Sequence, residues 1–141
     1  MKKIKITALL FSVALAGCGT SPTSISNAKL VPVDQVLNKN ILNKDSTKNV
    51  EIIVSRDSGG FVGQGNSYRV YIDGRAVADL DRGEYFIAYL PQGRHILSVE
   101  SVGFFNDVMK EIEVNAFDGD KLKFRLGADH SGDYFIYPTV F

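Results

Sequence analysis

Tyr68-Arg69-Val70-Tyr71-Ile72-Asp73-Gly74-Arg75-Ala76-Val77-Ala78-Asp79-Leu80 is the stretch on which the fold turns. A run of β-branched and aromatic residues leads into Asp-Gly, and a second apolar run returns from it. Asp-Gly between two such runs is a strong short hairpin signal, because glycine takes the positive φ of a primed turn without a Cβ clash.

The same grammar continues on both sides. Asp81-Arg82-Gly83 turns the chain into Glu84–Leu90, Pro91-Gln92-Gly93 turns it again, and His95–Val102 follows. Val108, Ile112 and Val114 share one face with Lys110. In Lys121–Leu126, Leu122, Phe124 and Leu126 alternate with cations and are expected inward. Asp129–Asp133 reads as a turn before Tyr134–Tyr137. Upstream, Val50, Ile52 and Val54 alternate with Glu51 and Ser55, although Ile53 interrupts the polar side. About eight short strands, spaced roughly 8–14 residues apart with no amphipathic helix between them, predict an all-β fold. The expectation is a small antiparallel sandwich of about 7–8 strands over residues 50–141, preferred to a small barrel.

Composition narrows the function. The chain has 141 residues, 45% hydrophobic and 23% charged, which suits one globular domain. Its one cysteine excludes an internal disulfide, a thioredoxin-type pair and a multi-Cys zinc site. Without Lys2, Lys3 and Lys5 the charge is 13 basic against 16 acidic residues, and from Val50 onward 9 against 14. Nucleic-acid binding needs a basic face, so this mildly acidic body speaks against it.

The N-terminus reads as an address. Met1–Lys5 is cationic, and Ile6–Gly17 is an apolar run of about twelve residues, short of the roughly 20 that cross a bilayer as a helix. That shape fits a secretory signal peptide over residues 1–17. The run closes on Leu15-Ala16-Gly17-Cys18, which resembles the lipobox of bacterial lipoproteins. The resemblance implies cleavage between Gly17 and Cys18, a diacylglyceryl group on the Cys18 thiol and an acyl chain on the new amine. Two or three acyl chains anchor a protein stably where one does not. Asp after the cysteine tends to retain such proteins in the inner membrane of enteric-type bacteria. Gly19 in its place points to the outer membrane, facing the periplasm, with the cell surface as the other side.

Residues 18–49 are expected to be the lipidated N-terminus and a flexible tether. Gly19–Asn27 is small and polar, as spacers are. Leu30, Val33 and Leu37 are spaced for one stripe of a short helix or an edge segment that docks on the body, and the stretch around them is left open.

Tyr71-Ile72-Asp73-Gly74, Val77-Ala78-Asp79-Leu80, Gly83-Glu84-Tyr85 and Leu90-Pro91-Gln92-Gly93-Arg94-His95-Ile96-Leu97 together resemble small bacterial lipoproteins with PEGA-type surface domains. The likeness is good over Tyr68–Val99 and thinner elsewhere. It implies an immunoglobulin- or transthyretin-like sandwich on a lipid tether. It implies no activity, and a fold does not supply one.

Chemistry-bearing motifs are sparse. The glycine-rich loop Asp57–Asn66 leads into a strand rather than a helix N-terminus, so it lacks the frame of a phosphate cradle. Phe61 and Val62 at its tip are candidates for a partner contact or for folding back onto the core. His95 and His130 have no metal-ligand spacing and read as surface or edge residues. The carboxylates of Asp118, Asp120, Asp129 and Asp133 sit in turns without the ligand count of a calcium loop. Ser98 and Ser101 lie within a strand, and no G-x-S-x-G occurs. No catalytic residue, cofactor or metal is assigned.

The leading expectation is a lipid-anchored envelope lipoprotein acting as a non-catalytic binding or structural module. Its partners would be membrane lipid through Cys18 and an envelope protein met by loop tips or strand addition, with no nucleic acid. The alternative is a small-ligand or glycan/peptidoglycan binder using Tyr71, Tyr85 and Tyr89 as a stacking surface. An enzyme is the weakest reading.

Overall fold

The computed structural model describes residues 20–59, 65–103 and 108–140. Nine strands lie among them: β1 Lys29–Leu30, β2 Val50–Arg56, β3 Ser67–Ile72, β4 Arg75–Leu80, β5 Glu84–Leu90, β6 Gly93–Val102, β7 Lys110–Ala116, β8 Lys121–Ala128 and β9 Tyr134–Pro138. The eight strands from β2 onward fall where alternation and turn residues place them. The β3–β4 hairpin closes on Asp73 (φ 50°) and Gly74 (φ 73°), the positive φ values that Asp-Gly predicts.

The strands form two sheets, in the orders β1-β5-β2-β8-β9 and β4-β3-β6-β7. Their inner faces share one core. Ile52, Val54, Phe86 and Leu126 come from the first sheet, and Val70, Leu80, Leu97 and Val99 from the second. The edge of the Tyr68 ring meets Tyr134 across the layers, centroids 5.0 Å apart. The architecture is a β-sandwich, with no closed barrel.

The sandwich is mostly antiparallel, as expected, and the first sheet adds two parallel pairs. β2 pairs in parallel with β8, and β1 in parallel with β5. Hairpin turns dictate antiparallel pairing only between neighbours in sequence, and these partners are far apart. β2 is therefore central, and this accounts for Ile53: it lies on the outer face but is only 8% exposed, between Ile87 of β5 and Lys123 of β8. Central strands bury both faces, so their alternation blurs.

Residues 20–42 are not a free spacer: the flexible spacer expected of Gly19–Asn27 is corrected over residues 20–27, and beyond it lies the docked edge segment left open as one alternative. The Thr20 N–H donates to the Ala128 carbonyl at 3.1 Å, and Ser21 and Ser58 exchange backbone bonds at 2.7 and 3.1 Å. Farther on, β1 pairs with the edge strand β5, and Val36 bridges Ala78 of β4. The segment thus crosses from one sheet to the other and closes that side of the sandwich. Val31 and Val36 enter the core, with Ile41 and Leu42 packed against it. The stripe suggested by Leu30, Val33 and Leu37 points to solvent instead (62%, 69% and 46% exposed). A path of extended backbone and 3₁₀ turns does not bring helical spacing onto one face.

Candidate functional site

The sandwich has two rims. The rim with the β3–β4 turn and the start of β6 carries an open groove of about 400 Å³. Its floor is Ile72 and Leu90, and Tyr89, Arg75, Asn38 and Lys48 stand around it. Asp73 and His95 build its wall. His95 Nδ1 lies 2.7 Å from Asp73 Oδ2, and Nε2 lies 2.9 Å from the Pro91 carbonyl. The other carboxylate oxygen of Asp73 accepts the Ile96 N–H at 2.9 Å, while the Asp73 N–H donates to the Ile96 carbonyl. One turn residue thus ties the hairpin to β6 by both backbone and side chain. Partial burial works against the charged form of Asp73. The His95 hydrogen bond and the Ile96 N–H outweigh it and hold the carboxyl below its usual range.

His95 is only 8% exposed, which corrects its reading as a surface or edge residue. Its partner lies 22 residues away, beyond the reach of local pattern. The signal that could have found it is an acid at the first position of a primed turn, facing a histidine just after the next glycine turn. Both are engaged in hydrogen bonds, and the Asp73 side chain keeps 49% of its surface exposed at the groove.

The opposite rim is built around buried charge. Arg56, 2% exposed, lies 3.9 Å above the Tyr68 ring and donates Nη1 to the carbonyls of Asn66 at 2.7 Å and Leu80 at 2.8 Å. Burial pushes its guanidinium below the ordinary value, but an arginine stays charged. Asp57, 1% exposed, receives Arg125, and Thr20 Oγ1 sits 3.3 Å from its Oδ2. The Ala128 N–H donates to Thr20 Oγ1 at 3.1 Å. Gly127 makes room for this: a Cβ there would stand 2.5 Å from Phe135 Cζ, 2.6 Å from Asp57 Oδ2 and 2.6 Å from Thr20 Oγ1.

The structure does not bring Tyr71, Tyr85 and Tyr89 together. Tyr71 is on the outer face of the four-stranded sheet, where its hydroxyl donates to Glu100; that bond, with some burial, holds the hydroxyl above its ordinary pKa. Tyr85 and Tyr89 are on the outer face of the other sheet, about 13 Å apart along β5. Sequence reasoning missed the stacked pair Phe135–Tyr137, centroids 4.6 Å apart and 12° from parallel. Tyr134 in the same short strand faces the core, so alternation in β9 was the available signal.

Other candidates serve local structure. Asp129 accepts from the Ser131 hydroxyl, then from the backbone N–H groups of Ser131 and Asp133, and these bonds lower its pKa. Asp120 Oδ2 accepts the Phe117 N–H at 2.9 Å, and Asn49 donates to Asp118. Ser98 donates to Glu111 and Ser101 accepts from Asn66. His130 is exposed. No group of three His, Cys, Asp or Glu suited to a metal occurs among the described residues. Gly17, Cys18, Phe61 and Val62 lie outside the described residues.

Fold and rims define a small β-sandwich with an open groove at one rim and a buried polar network at the other. Comparison with protein-family models, curated proteins and solved structures yields no match.

Proposed function

We propose that this chain is a lipid-anchored lipoprotein of the bacterial envelope, related to small lipoproteins with PEGA-like sandwiches, and that it acts as a non-catalytic binding or structural module. The observation that carries the proposal is Leu15-Ala16-Gly17-Cys18 closing a short apolar run behind a basic start. Diacylglycerol on Cys18 and an acyl chain on its amine would hold the body at the membrane, on the periplasmic side of the outer membrane. The non-catalytic part draws on the buried ionisable side chains Arg56, Asp57 and His95, each engaged in hydrogen bonds that join strands. Replacing Cys18 with Ala is expected to abolish labelling by an alkynyl fatty acid and move the protein to the soluble fraction. Unchanged labelling and fractionation would overturn the anchor.

A second reading, a periplasmic binder of a small ligand or of glycan and peptidoglycan fragments, is favoured by the groove beside Tyr89. An apolar floor with an aromatic ring, an amide and a cation at its mouth suits a polar ring. Titration with soluble peptidoglycan fragments, followed by chemical shifts of Tyr89 and Asn38, tests it. Shifts confined to other residues would reject the groove as the site.

A further inference from the structure

We infer that the sandwich sits directly on the bilayer, on the rim that holds Thr20, and presents the Asp73–His95 groove away from the membrane. This rests on the lipoprotein reading, because it takes Cys18 as the lipidated residue. A flexible spacer over residues 19–49 would let the body wander roughly 30 Å from its anchor. The chain is locked far earlier. Thr20 is held by Ala128 through both its backbone and its hydroxyl. Ser21 pairs with Ser58, and Thr23 Oγ1 accepts the Ser58 N–H at 3.0 Å while bonding its hydroxyl at 2.7 Å. Only Gly19 separates Cys18 from this lock, so the two residues span at most about 7 Å. That is about the depth of one headgroup layer, so the rim bearing Thr20 cannot leave the interface.

The described surface of that rim offers the interface apolar and cationic contacts beside the exposed acidic turn of Asp129 and Asp133. Val108 is 80% exposed and Met109 38% exposed, just ahead of β7, and Val108 adjoins Gly132 and Asp133 of the last turn. Lys29 and Arg82 line a polar cleft of about 300 Å³ with Pro22, Thr23 and Ser24, the chain's own path from the anchor. A lipid phosphate beside the anchor would meet Lys29 there and Arg82, whose guanidinium also donates to the Gly59 carbonyl. Asp73, Pro91 and Lys48 lie at the far ends of the strands. Six or seven residues of strand put the groove about 20 Å farther from the bilayer.

Lipidation uses the only native cysteine, so an introduced one is a unique thiol for a fluorophore. Full-length lipidated protein carrying S131C, S26C or Q92C is reconstituted in phosphatidylethanolamine–phosphatidylglycerol vesicles with headgroup-nitroxide lipid. Labels at 131 and 26 are expected to be quenched at least threefold more than the label at 92. Ten Gly/Ser residues inserted between Cys18 and Gly19 should bring the three toward equality. Equal, weak quenching on protein that still floats with the vesicles would overturn the orientation and leave the anchor standing. Protein that fails to float, in every variant, would overturn the lipoprotein reading and the orientation with it.

Discussion

Arg125 reaches over the end of β2 to Asp57, placing Nε 3.2 Å from Oδ1 of a carboxylate that is 1% exposed. The two partners are unequal, since the arginine side chain keeps 21% of its surface in water. Breaking a buried pair costs most when the uncompensated charge is the one that cannot reach solvent. Arg125→Ala is therefore expected to cost about 3–5 kcal/mol, and Asp57→Ala less, about 2 kcal/mol. Urea denaturation of both variants reads the difference, and equal costs would show that Asp57 is hydrated when alone.

Gly127→Ala should loosen the N-terminal segment before it loosens the sheets. The added methyl meets Phe135, Asp57 and Thr20 at once, and overpacking of this kind costs about 1–3 kcal/mol. Hydrogen exchange is expected to rise first at Thr20, Ser21 and Ala128. Protection unchanged at those three amides would mean that Phe135 alone yields.

Val31→Ala and Val36→Ala are each expected to destabilise by about 1–2 kcal/mol, because each removes two buried methyl groups. Leu30→Ala and Val33→Ala, at exposed positions, should stay within about 0.5 kcal/mol. Thermal unfolding of the four variants separates a packed segment from a free tether, for which all four would be silent.

Acid should weaken the groove wall. The Asp73 carboxyl is held below its ordinary value in the folded chain, so its contribution is complete above the unfolded value of about 3.9 and is lost as pH falls through the lower folded value. Asp73→Asn keeps a residue that tolerates the turn and removes the charge. Its Tm should lie below that of the parent at pH 7, and the gap should narrow toward pH 3. A constant gap would assign the effect to the turn backbone instead.

The positions of β2 to β9 were legible because most of these strands alternate and are bounded by Gly, Pro or Asp. Pairing was less so. That β2 lies beside β8 depends on residues 69 apart, as in Ser55 donating to the Phe124 carbonyl. Ile53 looked like a flaw in a pattern and is the mark of a central strand. Val31 and Val36 escaped notice because neither helix nor strand periodicity links them. His95 escaped because its burial depends on Asp73, and Tyr71 was grouped with Tyr85 and Tyr89 because sequence does not reveal which sheet a tyrosine faces.

The lock at Thr20 also orders events in time. Its partner Ala128 is made more than a hundred residues later, since the two stand 108 positions apart. Until β8 exists, Thr20 lacks its bonds to Ala128 and Asp57 lacks Arg125, and only the bonds of Ser21 and Thr23 to Ser58 can hold that end of the segment. The first described residue to be synthesised is thus among the last to be fixed, and the seam between Thr20 and β8 closes only when the sandwich does.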